Sequence, residues 1–345
     1  MSNEYERILI FKTGALGDVL MTTPLLRQLR KKFRKAKIDY LVGKSSSKIL
    51  EGNKYLDEII EFDEKLFFKK NPAKWFRLIS KIRSRRYDLI FVLDKHWVFN
   101  LTAYMFGIKT RIGFDRGREG LLLNYAVHYR KKRHEIFYYL DLLNEISKSD
   151  LKVDYKDFKM DLFISKKDQA LADNFLRKNK IENFCVMTNS GGNNPGEKSK
   201  VRKIPDKLFS NIITNISAKY PVVFIGSRNE QDYYECFCSD NLCNNNCYNL
   251  AGKLSLKETA ALMKKSKFII TSDSGPMHIA SCVNKKVISI FGPTNPERKA
   301  PLWKESRSIW KDKKIYDENY ELYGKIPRKD SMKKIKAKDV LKFID

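Results

Sequence analysis

Short apolar runs recur along this 345-residue chain, each bounded by polar turns and followed by a stretch of helical periodicity. Arg7-Ile8-Leu9-Ile10-Phe11 is the first. It leads through the turn KTGALGD into a basic amphipathic helix reaching about Lys35, and then to Ile38-Asp39-Tyr40-Leu41-Val42. Further strands are predicted at Glu58 to Phe62 and at Leu89-Ile90-Phe91-Val92-Leu93, with a helix starting near Pro72 between them. A second series begins at Phe184-Cys185-Val186-Met187 and continues through Val222-Val223-Phe224-Ile225, Phe268-Ile269-Ile270-Thr271 and Val287-Ile288-Ser289-Ile290-Phe291. Strands that alternate with helices predict parallel sheets covered on both faces. A polar helix around Ser165 to Lys180 divides the two series. The predicted class is α/β, with two Rossmann-like, doubly wound parallel-sheet domains, 1–165 and 166–325, facing each other across a cleft. The last stretch, SMKKIKAKDVLKFID, predicts a terminal amphipathic helix with Ile335, Val340, Leu341 and Ile344 at its apolar positions.

Ligands of such sheets bind outside the carboxyl ends of the strands, so the turns there carry the candidate chemistry. After the first strand comes Lys12-Thr13-Gly14-Ala15-Leu16-Gly17-Asp18. Its two glycines allow a tight turn of bare backbone, though G-x-x-G departs from the dinucleotide fingerprint. Asp18 can act as a general base on an alcohol, or cap the helix that follows. The loop TNSGGNNPGEKSKVRKIP is glycine-rich, then basic. Thr188, Ser190, Gly191 and Gly192 suit a phosphate, and Arg202 and Lys203 suit a departing pyrophosphate; the other reading is a solvated basic loop. Glu230, in Gly226-Ser227-Arg228-Asn229-Glu230, can accept from a ribose or belong to a surface turn.

The segment Asp273 to Pro296, DSGPMHIASCVNKKVISIFGPTNP, reads strand end, tight turn, helix, strand. Free N–H groups at the helix start, with Gly275 admitting close approach, make a phosphate site. Ser274 and His278 add donors. The competing reading is a helix capped by Asp273 or Ser274 with a proline at its first helical position. Four such elements, all at strand C-terminal ends, are what a nucleotide-sugar cleft requires.

Composition narrows the setting. Hydrophobic residues at 42% and charged residues at 32% describe a globular chain. No apolar run approaches the ~20 residues that span a bilayer, and the acidic N-terminus enters a strand directly, unlike a secretory signal. A cytoplasmic protein with its six cysteines reduced is the expectation. Cys236, Cys238, Cys243 and Cys247 cluster without the paired knuckles of common zinc sites. A net charge of +27 implies an anionic partner. No nucleic-acid module signature is present, which favours an anionic membrane surface or phosphorylated substrates. Arg27, Arg30, Lys31, Lys32, Arg34 and Lys35 form one basic cluster. Leu66-Phe67-Phe68-Lys69-Lys70 and Lys74-Trp75-Phe76-Arg77 mix aromatics with cations, as interfacial segments do. Their alternative is a solvated basic face with Trp75 and Phe76 in the core.

GALGDVLMTTPLLRQLR near the N-terminus and SDSGPMHIASCVNKKVISIFGPTNP near the C-terminus together resemble glycosyltransferase family 9, the ADP-heptose:lipopolysaccharide heptosyltransferases. Tyr87-Asp88-Leu89-Ile90, Arg111-Ile112-Gly113-Phe114 and His134-Glu135 are similar too. The resemblance implies the GT-B architecture, with acceptor in the first domain and nucleotide sugar in the second. It implies inverting transfer of a heptose or related sugar from an ADP-sugar to a lipopolysaccharide core or other surface glycan, with no metal and no further cofactor. Asp18 takes the family's catalytic position. Donor contacts fall on Arg202, Glu230, Asp273, Ser274, Gly275 and His278. Lys12, Gly14, Asp94, His96 and Arg111 become acceptor-side candidates. The segment 326–345 is expected to cross back onto the first domain. The implied acceptor is an oligosaccharide or lipid-anchored, placing the enzyme at the inner face of the membrane. Ile204 stands where members commonly carry tryptophan, the loop is lengthened by NNPGEKSK, and Asp94-Lys95-His96-Trp97 lacks the expected glutamine-glycine. Two rivals share these features: a nucleotide-sugar epimerase of GT-B fold and a non-enzymatic anion-binding module.

Overall fold

A computed structural model describes residues 5–67, 71–129, 133–146, 153–191, 199–239, 246–311, 314, 316 and 332–344. The chain divides into two units, Met1–Phe163 and Ile164–Asp345, two residues before the expected 165/166 boundary. The first unit is built on β1 (Arg7–Lys12), β2 (Lys37–Gly43), β3 (Glu58–Phe62), β4 (Leu89–Val92), β5 (Thr110–Asp115) and β6 (Tyr125–His128). They form one parallel sheet in the order β3-β2-β1-β4-β5-β6. Around it lie α1 (Leu16–Met21), α2 (Thr23–Lys32), α3 (Lys44–Ser47), α4 (Pro72–Arg83), α5 (Trp97–Met105) and α6 (Glu135–Glu145).

The second unit repeats the plan. Its strands are β7 (Cys185–Thr188), β8 (Val222–Phe224), β9 (Cys247–Asn249), β10 (Phe268–Ser272), β11 (Val287–Ile290) and β12 (Arg307–Ile309). The order is β12-β11-β10-β7-β8-β9, again all parallel. Its helices are α7 (Lys166–Lys178), α8 (Asp206–Ser217), α9 (Gln231–Ser239), α10 (Leu256–Lys265), α11 (Gly275–Val283), α12 (Pro296–Lys299) and α13 (Ala337–Leu341). Central strands such as β4 and β10 are buried along their whole length, as parallel strands covered on both faces must be. In each sheet the order reverses between two central strands, β1/β4 and β7/β10, and these reversals are where such folds bind ligands.

Three expectations change. The basic helix expected to run to about Lys35 breaks at Thr22, because Pro24 has no N–H to continue the ladder. The Thr22 and Thr23 hydroxyls donate to the carbonyls of Val19 and Leu20 instead, both at 2.7 Å. Of the basic cluster only Arg27 is internal, while Lys31, Arg34 and Lys35 stay exposed. Arg27 is buried against Asp157 (2.8 Å) and Asp161, Lys31 meets Asp157 at 3.1 Å, and Arg30 pairs with Asp57 at 2.5 Å. With the Gln28–Asp154 pair of bonds, these straps hold the segment that closes the first unit. Finally, the terminal segment packs on the second unit, not on the first. Ile335, Val340 and Ile344 join the same core as Phe209, Ile212 and Ile216 of α8, because α8 offers an apolar face that they complete.

Trp75 packs edge-on against Phe67 at 4.9 Å, whereas Phe76 stands 71% exposed, so the aromatic pair divides between core and surface. Phe68, Lys69 and Lys70 lie outside the described residues. Cys185, Cys236, Cys238 and Cys282 are free thiols, but Cys247 is disulfide-bonded, against the expectation that all six are reduced. Cys243 lies outside the described residues. Among the described residues no helix is long and apolar enough to cross a membrane.

Candidate active site

In the first unit, β1 and β4 run side by side to Phe11 and Val92, so the turns that follow leave the sheet together. Lys12, at the end of β1, has a buried side chain that pairs with Asp94 just beyond β4 and lies 3.9 Å from Asp18. Asp94 is fixed further by the Thr13 N–H (2.6 Å) and hydroxyl (2.7 Å), which donate to its second oxygen. Lys95 donates to Glu135 at 2.6 Å, Tyr129 donates to the other Glu135 oxygen, and the Lys95 ammonium sits 4.4 Å over the Tyr129 ring. Burial by itself would lower the Lys12 pKa, but Asp94 and Asp18 outweigh it and hold the lysine above its ordinary value. For Lys95 burial prevails over Glu135 and the pKa falls.

Two lysines therefore face three carboxylates. Asp94 and Glu135 are each bound closely by one lysine. Asp18 shares Lys12 only at 3.9 Å, and its side chain is 27% exposed against 11% for Asp94 and 1% for Glu135. It lies in the first turn of α1, whose N-cap is Ala15 and makes no side-chain bond. Asp18 is thus not the cap that the sequence allowed. It is the most exposed carboxylate of the three.

The other acceptor-side candidates scatter. Gly14 continues the same turn, with Ser46 Oγ 3.5 Å from where a Cβ would stand. His96 is the exposed N-cap of α5, its Nδ1 accepting from the Val98 N–H at 3.4 Å. Arg111 is held by main-chain carbonyls. It sits near the start of β5, not at a strand's carboxyl end, and its guanidinium donates to the carbonyls of Ile108 (2.5 Å) and Leu122 (2.7 Å), which the chain bend there would otherwise leave unpaired.

In the second unit the reversal lies between β7 and β10. Ser190 and Gly191 follow β7, and Ser272 Oγ donates to the Ser190 carbonyl at 2.6 Å, tying the two turns together. Thr188 and Asp273 are buried, so they frame the site instead of presenting polar atoms to solvent. Asp273 accepts from the Thr294 hydroxyl at 2.6 Å and lies 3.6 Å from Arg202, which it orients. Ser274 is the N-cap of α11, but its hydroxyl turns back to the Ser272 carbonyl at 3.3 Å and makes no cap bond. Ser274 thus holds the cap position that the sequence allowed, without the side-chain bond of a cap. The helix start stays open, with clear space beyond the Cα of Gly275 and His278 buried on the next turn.

Lys203 stacks 3.9 Å over the Tyr233 ring, and Tyr233 donates to Asp206 at 2.8 Å. Glu230 ends the turn after β8, where one of its oxygens accepts from the N–H and hydroxyl of Ser227, both at 2.8 Å. Its surface-turn role is real, at the site end of the sheet. Gly192 lies outside the described residues, as does most of the NNPGEKSK insertion. Among the described residues no group of three or more His, Cys, Asp or Glu is gathered that could hold a metal ion.

Sequence reasoning missed several members. Lys95 and Glu135 are 40 positions apart and join only through the fold. Asn189 bonds Ile204 in both directions, at 2.7 and 2.8 Å, and so pins the basic loop to β7. A usable signal existed for it: a lone amide directly after a buried strand needs partners.

A family model described as glycosyltransferase family 9 (heptosyltransferase) matches residues 75–321, well over half of the chain. The chain belongs to glycosyltransferase family 9. It is 25% identical over 323 residues to the lipopolysaccharide core heptosyltransferase OpsX of Haemophilus influenzae, covering 90% of this chain and 84% of that protein. Lipopolysaccharide heptosyltransferase 3 of Escherichia coli is 25% identical over 291 residues, 81% of each chain. The structure is similar to a family 9 glycosyltransferase from Veillonella parvula (TM-score 0.78, 20% identity, 99% of this chain and 97% of that one). It is also similar to E. coli ADP-heptose lps heptosyltransferase II (TM-score 0.76, 20% identity, 98% and 97%). The fold is of the GT-B class, and this family 9 member is a glycosyltransferase, not an epimerase or a non-enzymatic anion-binding module.

Proposed function

We propose that this transferase moves a heptose from ADP-heptose to a lipopolysaccharide-core acceptor with inversion and without a metal. The observation that carries the reading is Asp18, the most exposed of the three carboxylates gathered with Lys12 and Lys95. Asp18 takes the proton of the acceptor hydroxyl while the hydroxyl oxygen forms a bond to the anomeric carbon. The bond from that carbon to the diphosphate breaks, and the nucleoside diphosphate leaves with the electron pair. Arg202, oriented by Asp273, and the open start of α11 receive that charge. Inversion needs only one base, on the face opposite the leaving group. Metal independence rests on these cationic and dipolar groups. Glu230 supports a ribose contact by its place beyond β8.

The printed names of several relatives support the choice of sugar and acceptor. One similar solved structure is described with ADP. A lipid-anchored acceptor places the enzyme on the cytoplasmic face of an anionic membrane. The test is transfer from ADP-heptose to a heptose-deficient core glycan, with and without EDTA, and NMR assignment of the new linkage. Inverted product at an EDTA-insensitive rate is expected. Retained configuration overturns the mechanism, EDTA inhibition overturns metal independence, and a preference for another nucleotide sugar overturns the donor.

A further inference from the structure

Seven large hydrophobic side chains stand exposed among the described residues, and four of them gather in one part of the first unit. Trp97, Tyr104 and Met105 lie on α5, and Leu121 lies on the loop between β5 and β6. That loop is fastened beside α5: Asn100 donates to the Glu119 carbonyl at 2.9 Å, and Arg111, 5.4 Å over the Tyr104 ring, donates to the Leu122 carbonyl.

A surface helix ordinarily turns a charged or polar face to water. α5, with the sequence WVFNLTAYM, carries no charged residue. Its inner face is accounted for by Asn100, Thr102 and Ala103, all buried, and by Phe99 against Phe11 and Phe67. The opposite side repeats Trp97, Leu101, Tyr104 and Met105 at i, i+4, i+7 and i+8, a continuous helical stripe. Trp97 is 50% exposed, Tyr104 54% and Leu121 85%.

The rim is cationic. Arg83 reaches Gly107 at the C-terminal end of α5, Lys109 is exposed one turn further, and Arg111 covers Tyr104. The acids of the adjoining loop are engaged. Asp115 accepts from the N–H groups of Gly117 and Glu119, and Glu119 pairs with Arg116 at 2.8 Å. Aromatic and aliphatic side chains bordered at one end by cations that have no acid partner among the described residues fit an anionic lipid interface. A second copy of this chain fits less well. A two-fold contact would set Arg83, Lys109 and Arg111 against their own images.

We propose that the outer face of α5, with Leu121, is the surface by which the enzyme lies on an anionic lipid bilayer. It rests on the reading of a lipid-anchored acceptor given above. α5 runs from the carboxyl end of β4, where Asp94 lies, toward the start of β5, so it is the Trp97 end of this face that adjoins the candidate site.

The test is flotation of the full chain with phosphatidylcholine vesicles, with and without phosphatidylglycerol, at low and high salt. The triple variant Trp97→Ser, Tyr104→Ser, Leu121→Ser is run beside it, with its thermal unfolding and ADP binding measured. Wild type is expected to float only with phosphatidylglycerol and to be released by salt. The variant should fold and bind ADP normally, yet partition about tenfold or more weaker, equivalent to ~1.4 kcal/mol. Equal flotation of the two proteins overturns the proposal, as does a wild type that never floats. A wild-type dimer that the variant dissolves, without a change in flotation, assigns the face to a second copy. Transfer to a delipidated core glycan is measured separately. Its failure would remove the heptosyltransfer reading without touching the flotation result.

Discussion

Both sheets reverse their strand order between two central strands, yet the reversal between β1 and β4 gathers paired charges while that between β7 and β10 gathers hydroxyls, amides and one arginine. Topology supplies the same place twice and leaves the chemistry to a few side chains. Two lysines and three carboxylates suit a site that must accept a proton. An uncapped helix start beside an oriented guanidinium suits a site that must hold and release a diphosphate. The units also close differently. The last segment of the first is strapped by Arg27 and Gln28, whereas that of the second is held by Ile335, Val340 and Ile344.

Asp18→Asn should separate the two sites most sharply. It keeps size and removes the base, so kcat is expected to fall about 10³-fold while calorimetry finds ADP affinity unchanged within about twofold. A variant that keeps a tenth of the wild-type kcat would end the division of labour. Arg202→Gln tests the other side, with a loss of about 10²-fold in kcat accompanied by weaker ADP binding. Asp273→Asn should reproduce a smaller part of both effects, because Asp273 acts through Arg202 at 3.6 Å. Were ADP to bind Arg202→Gln as tightly as wild type, the second unit would need another anion holder.

The closing segments predict a smaller, structural contrast. Arg27→Met leaves Asp157 and Asp161 without their main cation and should destabilise the protein by about 2–4 kcal/mol. Val340→Ala removes two methyls from a fully buried position, for about 1–3 kcal/mol. Salt should mimic the first variant in part and leave the second alone. Denaturant melts at two salt concentrations check this, and equal salt sensitivity in both variants would erase the distinction.

The parts legible in the sequence were those with purely local causes. β1, β2, β4, β7, β8, β10 and β11 were anticipated because buried inner strands are nearly uninterrupted apolar runs, and β3, an edge strand, because Ile59, Ile60 and Phe62 still show. β5, β6, β9 and β12 were not, since strands toward the sheet margins, such as Tyr125–His128 and Arg307–Ile309, carry polar and exposed residues. Asp18 and the Asp273–His278 turn could be singled out as candidates because a turn after an apolar run announces a strand end. What they bond to could not. Arg27 reads as surface charge until Asp157 and Asp161, 130 and 134 positions away, are folded against it. The terminal helix shows its apolar face in sequence but not which core receives it, and α8 decides that.

Lys12 offers the finest probe of the charged reversal. Its pKa is raised, so it remains an ammonium through the range in which the enzyme is assayed, and the acid limb of kcat belongs to a carboxylate. A neighbouring cation favours the ionised carboxylate. Replacing it by Lys12→Met should therefore move that limb to higher pH, by about one unit. Lys12→Arg keeps the charge and should leave the limb within a few tenths of a unit of wild type. The facing groups on other elements are Asp94, Lys95, Glu135 and Tyr139, all retained in both variants. Stability carries the opposite pH signature. A raised lysine pKa contributes stability that is full below the ordinary lysine value and is lost as pH rises through the raised one. Wild type should lose this increment in strongly alkaline solution, and Lys12→Met should have none to lose. If the limb stays in place in Lys12→Met while the plateau rate falls, Lys12 shapes the turn after β1 without setting the charge of Asp18.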